Sequence, residues 1–310
     1  MRIVLPGAIA ALAVLLAVSH VYAQQEASPP NAGAQTPAAL VSTPGQTSCP
    51  GNPHALGVSR TVEIDTTGGP LFGSPEAKQN DFLQPGEIVL TFDDSPWKGR
   101  TPKVLAALAR HCTKATFFAI GKHSVWYPDE LREIAAAGHT IGWHTWSHKN
   151  LFKLTEEEGK TEIELGLAAE RFVIGDAVVP FFRFPGLRHP EAMMAYLGQR
   201  NVAIWAADID SKDYHLRNSK KVIASVMTQL TKRGKGIILM HDFQQSTADG
   251  IDTLLDDLQA RGFKVVAVRA KGQIKSLPAY DAMLTANADF QCSRAGKTTI
   301  PAGAPKPHCD

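Results

Sequence analysis

The feature that most restricts the fold is an alternation, sustained from about residue 86 to residue 270, of short apolar runs with amphipathic helical stretches. The strand-like runs are Ile88–Phe92, Ala115–Ile120, Thr140–Trp143, Phe181–Phe184, Val202–Ala207, Gly236–Met240 and Phe263–Val268. Helix signals separate them. Thr101-Pro102 supplies an N-cap and a proline at the first helical position, ahead of an apolar stripe of Val104, Leu105 and Leu108. Pro128–Ala137 carries Leu131, Ile134 and Ala135 on one face and stops at Gly138. Thr155 with Glu158 reads as a capping box opening a helix through Ile163 and Leu167, and Asn218–Thr231 and Asp249–Ala260 complete the set. Strands alternating with helices predict a parallel sheet covered by helices. Periodicity leaves open whether the sheet closes into a barrel or stays open and doubly wound. In both cases functional side chains are expected at the carboxyl ends of the strands.

The flanks have a different character. Met1-Arg2 followed by an apolar run from Ile3 to about Val18, with Val21-Tyr22-Ala23 behind it, reads as a signal peptide over residues 1–23, cleaved after Ala23. An uncleaved anchor is the alternative; the run is shorter than the roughly 20 residues a spanning helix needs. Residues 24–48, rich in Ala, Pro, Gln, Ser and Thr, are expected to be a disordered linker because they have little to bury against the cost of ordering. Residues 49–85 read as an irregular lead-in packed on the domain, with one strand-like run at Thr61–Ile64, and residues 271–310 as a C-terminal extension. Cys49, Cys112, Cys292 and Cys309 form no CxxC pair; in an exported chain they allow three disulfide connectivities, and Cys112, at a helix end, can equally be a buried free thiol. With 32 basic against 30 acidic residues the net charge is +2, which supplies no basic field for nucleic acid.

The strand ends carry the chemistry. The first ends in Asp93-Asp94, two adjacent carboxylates that repel unless a cation or donor lies beside them. The third ends in His144-Thr145-Trp146-Ser147-His148; two His four residues apart on one face of a helical turn could chelate one divalent ion. The fourth ends at Arg183, the fifth in the acidic run Asp208–Tyr214, the sixth in His241-Asp242. Each alone has a structural explanation, such as an ion pair or a solvated loop. Five such ends together, beside apolar strands, cost desolvation and repulsion that stability does not require.

In this order the motifs resemble those of the polysaccharide deacetylases with the NodB homology domain, carbohydrate esterase family 4. The resemblance covers roughly residues 86–270 and implies a distorted (β/α)7 barrel. Thr91–Pro96 matches the family's TFDDGP, which implies Asp93 as general base and Asp94 as a metal ligand, with His144 and His148 on the same divalent metal, usually zinc. Arg183 matches the Arg that holds the base, and Asp213 the acidic residue that tunes the catalytic pair. Leu239 and His241 match an LxH motif, implying an acetyl-methyl contact and a general acid. Ser95 replaces the family's Gly, Gly186 stands where many members have Tyr, and Tyr214 replaces a Trp; Gly186 and Tyr214 are expected, with Leu239 and Trp146, to meet substrate. Of Trp97, Trp143 and Trp146, which flank the motifs, one or two are expected in the core, and His139 is expected to cap a helix end.

The implied activity is removal of N-acetyl groups from an N-acetylglucosamine polymer, peptidoglycan or chitin-like, by an exported periplasmic or secreted monomer. No nucleic-acid partner and no membrane span after signal cleavage are expected. An O-acetyl esterase on xylan or another acetylated polysaccharide is the nearest alternative, and a silent carbohydrate-binding protein the next.

Overall fold

The computed structural model describes residues 40–287 together with 290 and 291. The expected signal segment, most of the linker, Cys292 and Cys309 lie outside the described residues.

The seven expected runs form the strands β4 (Glu87–Ser95), β5 (Thr116–Ala119), β6 (Thr140–Trp143), β7 (Val178–Phe182), β8 (Ala203–Trp205), β10 (Gly236–His241) and β11 (Lys264–Ala270). Neighbours β4-β5-β6-β7-β8 pair in parallel, and β10 pairs in parallel with the other edge of β4. Just after β8 the chain moves across to form β9 (Ile209–Asp210), which pairs with β10 and carries the sheet round. This is an α/β barrel of the (β/α)7 type. Its distortion lies at β11, which pairs only with Glu87 and Ile88 of β4 before continuing along β2 (Arg60–Ile64). A two-residue strand, β3 (Leu71–Phe72), adds to β8.

Alternation along each strand decides what faces the lumen. Val89 on β4, Phe118 on β5, Phe181 on β7, Ala203 and Trp205 on β8 and Ile237 on β10 fill the interior, with Val62, Ile64, Val266 and Val268 from β2 and β11. Their neighbours Ile88, Leu90, Phe92, Phe117, Ile238 and Met240 point outward into a shell shared with α1 (Thr101–Arg110), α3 (Pro128–Ala136), α6 (Ser219–Arg233) and α7 (Gln245–Ala260). A second outer cluster joins Phe182, Phe184 and Ile204 to α4 (Glu156–Ile174) and α5 (Glu191–Gln199). The capping box at Thr155 and Glu158 is formed.

Several elements depart from the sequence reading. Leu40–Pro44, within the segment expected to be a tether, is a strand (β1) paired antiparallel with β2, whose free edge supplies the backbone partners its side chains do not. The short helix α2 (Gly121–Trp126) follows β5 directly, and α8 (Pro278–Ala286), in the expected extension, packs Leu284 against Trp146 and Leu165. Cys112 is not free: it pairs with Cys49 across 63 residues, tying the lead-in to the end of α1. Among the described residues no helix is long and apolar enough to cross a membrane.

Glu170 of α4 is fully buried, and neither carboxylate oxygen has a hydrogen-bond partner among the described residues. Burial raises its pKa well above the ordinary value of 4.5. The folded chain therefore keeps a proton that the unfolded chain releases, so the penalty is absent below about pH 4.5 and grows as pH rises. Glu170→Met is expected to stabilise the fold by about 1–3 kcal/mol at pH 8. Urea melts at pH 8 and pH 4.5 check this, with the gain shrinking at the lower pH.

Candidate active site

Lumen-facing parity, followed to the strand ends, selects the ionisable residues. On β4 the inward set Val89, Thr91 continues to Asp93, and on β10 Ile237, Leu239 continues to His241. The register pairs Asp93 with His241 and Leu239 with Thr91. His144 and Arg183 each stand one residue beyond a paired position, since Trp143 opposes Phe182. Four side chains, from four strands or the residues just after them, thus gather at the carboxyl ends of the strands.

Adjacent strand residues point to opposite faces, so Asp94 should turn away from Asp93. A bulge prevents this: the register with β5 shifts between Asp93 and Ser95, and Asp94 adopts φ 66°. Both carboxylates therefore reach the same mouth. The bond from Ser95 to Pro96 is cis. Positive φ also occurs at Thr145 (68°) and His148 (58°). For the β-branched Thr145 that backbone is strained, and the strain sits at the site. These kinks replace the helical turn expected from the spacing of the two His residues. The loop is held by Glu162 of α4, which accepts from the backbone N–H and hydroxyl of Ser147 at 2.9 and 2.8 Å, and by Thr145 Oγ1, which accepts from His148 N–H at 2.9 Å.

Asp94, His144 and His148 bring one ligand atom each within 4.8 Å of one another. Asp94 Oδ1 lies 3.6 Å from His144 Nε2 and 3.5 Å from His148 Nε2. Two further observations fit a cation there. Asp94 Oδ1 is buried without a hydrogen-bond partner among the described residues. His144 Nδ1 donates to the carbonyl of Arg183 at 2.6 Å, which turns the Nε2 lone pair toward Asp94. Burial, and the charge of His148, hold the His144 pKa well below 6.5, so the ring is neutral as a ligand must be.

Behind this cluster Arg183 is completely buried. Its Nη1 donates to Asp93 Oδ1 and to Thr91 Oγ1, both at 2.7 Å; Nη2 and Nε donate to the carbonyls of Ala206 and Trp205 at 2.8 and 3.3 Å. The guanidinium also lies 4.3 Å from the Phe118 ring centroid. Burial pushes the Asp93 carboxyl above its ordinary value, while the charges of Arg183 and His241 oppose it. Its Oδ2 remains on the cluster side, 3.8 Å from His144 Nε2.

Opposite stands a second pair. His241 Nδ1 donates to Asp213 Oδ1 at 2.7 Å, and Asp213 Oδ2 accepts from His241 N–H at 2.7 Å and Thr247 Oγ1 at 2.5 Å. Burial works against a charge on His241, but the hydrogen bond to Asp213 and the charges of Asp213, Asp94 and Asp93 prevail, and its pKa is raised to about 9. Burial likewise opposes the Asp213 charge; the bonds from His241 and Thr247 leave its pKa below 3.8.

A pocket of about 360 Å³ opens over both pairs, lined by Asp93, Asp94, His144, His148, Gly186, Leu187, Asp210, Tyr214, Leu239, His241 and Phe243. Of the residues expected to meet substrate, Leu239, Gly186 and Tyr214 line it. Trp146 does not. Its ring is 5% exposed and packs with Val125, Leu165 and Ala169, and glycines at 121 and 166 let the helices close on it. The parity explains this: the αL turn at Thr145 sends the next side chain behind the rim. Trp143 is also core, and His139, buried against Phe117, accepts from the Ala115 N–H at 3.2 Å. Sequence reasoning treated Asp210 only as part of an acidic loop and passed over Leu187, Phe243, Thr247 and Glu162. Asp210 accepts from the Tyr214 hydroxyl at 2.9 Å and so orients that ring. Strand parity would have flagged Asp210; nothing local marks Thr247.

Comparison with known proteins finds polysaccharide deacetylases. The polysaccharide deacetylase family profile matches residues 83–204. The chain is 32% identical over 197 residues to the peptidoglycan-N-acetylglucosamine deacetylase of Listeria monocytogenes, and 30% over 198 residues to the peptidoglycan-N-acetylmuramic acid deacetylase of Bacillus subtilis. Those matches cover 63% and 61% of this chain, and it spans 39% of the length of each relative. Among solved structures, the Bdellovibrio bacteriovorus peptidoglycan deacetylase is 32% identical with a TM-score of 0.62, covering 68% of this chain and 58% of that one. Residues 83–204 thus match the polysaccharide deacetylases, and this region is a domain of the NodB-homology, carbohydrate esterase family 4 type.

Proposed function

We propose that this protein is an exported, metal-dependent hydrolase that removes N-acetyl groups from an N-acetylglucosamine-containing polymer such as peptidoglycan. The observation that carries the reading is the convergence of two opposed proton-handling pairs on one three-ligand cluster: Asp93 with Arg183, and His241 with Asp213. Asp94, His144 and His148 would hold the metal, with zinc expected from the two imidazoles and one carboxylate. A divalent cation there supplies Lewis acidity to water and to a carbonyl oxygen.

The chain's own groups supply the rest. Arg183 occupies Asp93 Oδ1, so the proton from an attacking water goes to Oδ2. A base whose pKa lies above the ordinary carboxylate value accepts that proton more readily. Asp213 fixes His241 Nδ1 and leaves Nε2–H, which faces the pocket 3.9 Å from Asp94 Oδ2, to protonate the departing nitrogen. An amine leaves poorly without a proton, whereas an alcohol from an ester needs less help. A held imidazolium therefore favours the amide over the O-acetyl substrate. Leu239 supplies an apolar wall for the acetyl methyl, and Tyr214, steadied by Asp210, a ring for the sugar.

Acetate release from N-acetylglucosamine oligomers and from peptidoglycan, with added zinc and with a chelator, tests the proposal. No release from any of them ends it. His144→Ala and His148→Ala are each expected to lower bound metal below half of the wild-type content and to weaken affinity at least about tenfold. Elemental analysis after dialysis measures both.

A further inference from the structure

None of the residues that match the family motifs lies on α2, yet this short helix bonds to both loops that carry the ligand cluster. The first backbone N–H groups of a helix have no partner within it. Here two of them are used on the His loop: Gly121 N–H donates to the Thr145 carbonyl at 3.0 Å, and Lys122 N–H to the Trp146 carbonyl at 2.9 Å. The next residue reaches the Asp loop with its side chain, His123 Nδ1 donating to the Asp94 carbonyl at 2.8 Å. A carbonyl only accepts, so the ring carries a proton on Nδ1.

Asp94 is the extra residue of the bulge, and it sits at φ 66°. A non-glycine residue persists in that region only where its surroundings hold it. Its Oδ1 makes no hydrogen bond among the described residues, so the aim of that oxygen at His144 and His148 comes from the backbone that carries it. The His123 ring is itself fixed. It meets Trp97 edge-on at 5.2 Å between centroids and Trp126 at 5.7 Å. The helix has no slack either: a Cβ at Gly121 would lie 2.8 Å from the Trp146 ring and 2.9 Å from the Gly166 Cα of α4.

We infer that His123 is a positioning residue for the cation cluster: its imidazole N–H clamps the Asp94 backbone, and α2 thereby fixes the Asp94 carboxylate against the loop of His144 and His148. The inference rests on the reading of that cluster as a metal site. A cluster held in place beforehand loses less freedom when the ion binds, so the clamp contributes to metal affinity without supplying a ligand.

Two substitutions separate the hydrogen bond from packing. His123→Phe keeps a ring against Trp97 and Trp126 but has no N–H. His123→Asn loses the ring but can place an amide N–H where Nδ1 stood, since both nitrogens are bonded to Cγ. Zinc affinity is measured on the full chain by competition with a chelator, beside the denaturation midpoint of the zinc-free protein. His123→Phe is expected to bind zinc about tenfold more weakly than wild type, and His123→Asn within about threefold of it. The midpoints should run in the opposite order, with Asn the less stable of the two because it leaves a cavity. A residue acting only through packing would not cross the two orders. His123→Ala, lacking both ring and N–H, should be low in both, and its comparison with His123→Asn carries the test should the Phe variant not fold. Zinc bound equally well by wild type, His123→Phe and His123→Ala would overturn the inference alone, as would affinities that follow the midpoints. A wild-type chain that binds no zinc would end the metal reading itself, and the inference with it.

Discussion

Asp93→Asn is expected to lower kcat by about 10²–10⁴-fold while leaving metal content at the wild-type level. Asn keeps the shape and can still accept the Arg183 hydrogen bond at Oδ1, but its amide cannot take a proton at the position of Oδ2. On the proposed assignment the metal would be bound through Asp94, whose backbone is set by the bulge and not by the Asp93 charge. Steady-state kinetics and elemental analysis on the same sample separate the two roles. Loss of metal together with activity would make Asp93 a ligand; retained turnover would remove it as the base. The outcome contrasts with His144→Ala and His148→Ala, where metal and activity should fall together.

Arg183→Met should give the largest loss of stability, about 3–5 kcal/mol, read as a fall in the denaturation midpoint. Met matches much of the length and apolar stem of Arg but leaves Asp93 buried without its partner, along with the carbonyls of Trp205 and Ala206. With the positive charge gone, burial drives the Asp93 carboxyl further up. The folded state then holds a proton the unfolded state gives up, so the variant's stability should decline as pH rises above the ordinary carboxylate range. Adding Asp93→Asn to Arg183→Met removes the stranded charge and should recover part of the loss. A double-mutant cycle with near-additive terms would show that the two side chains do not act as a pair.

Much of this arrangement was legible along the chain. The seven strands follow from apolar runs of the right length, and their helices from caps such as Thr155 with Glu158. Elements whose stability comes from partners were not legible. Leu40–Pro44 is a strand because β2 offers an edge, and α8 is a helix whose Leu284 packs on Trp146. Gly121–Trp126 is too short for periodicity to show.

The residue types at the strand ends, the Asp pair, the two His residues and the lone Arg and His after apolar runs, are properties of the linear chain. Parity along each strand then dictates which of them turn inward. What the tertiary structure decided is where parity is broken and who meets whom. Asp94 joins His144 and His148 because a bulge and three left-handed backbones turn it there, a choice stabilised by contacts and not by local preference. Asp213 reaches His241, and Arg183 reaches Asp93 across 90 residues, because parallel strands set distant segments side by side. Trp146 shows the limit most plainly. Its place in the sequence suggests a sugar-binding ring, and the helices packed behind the rim make it core.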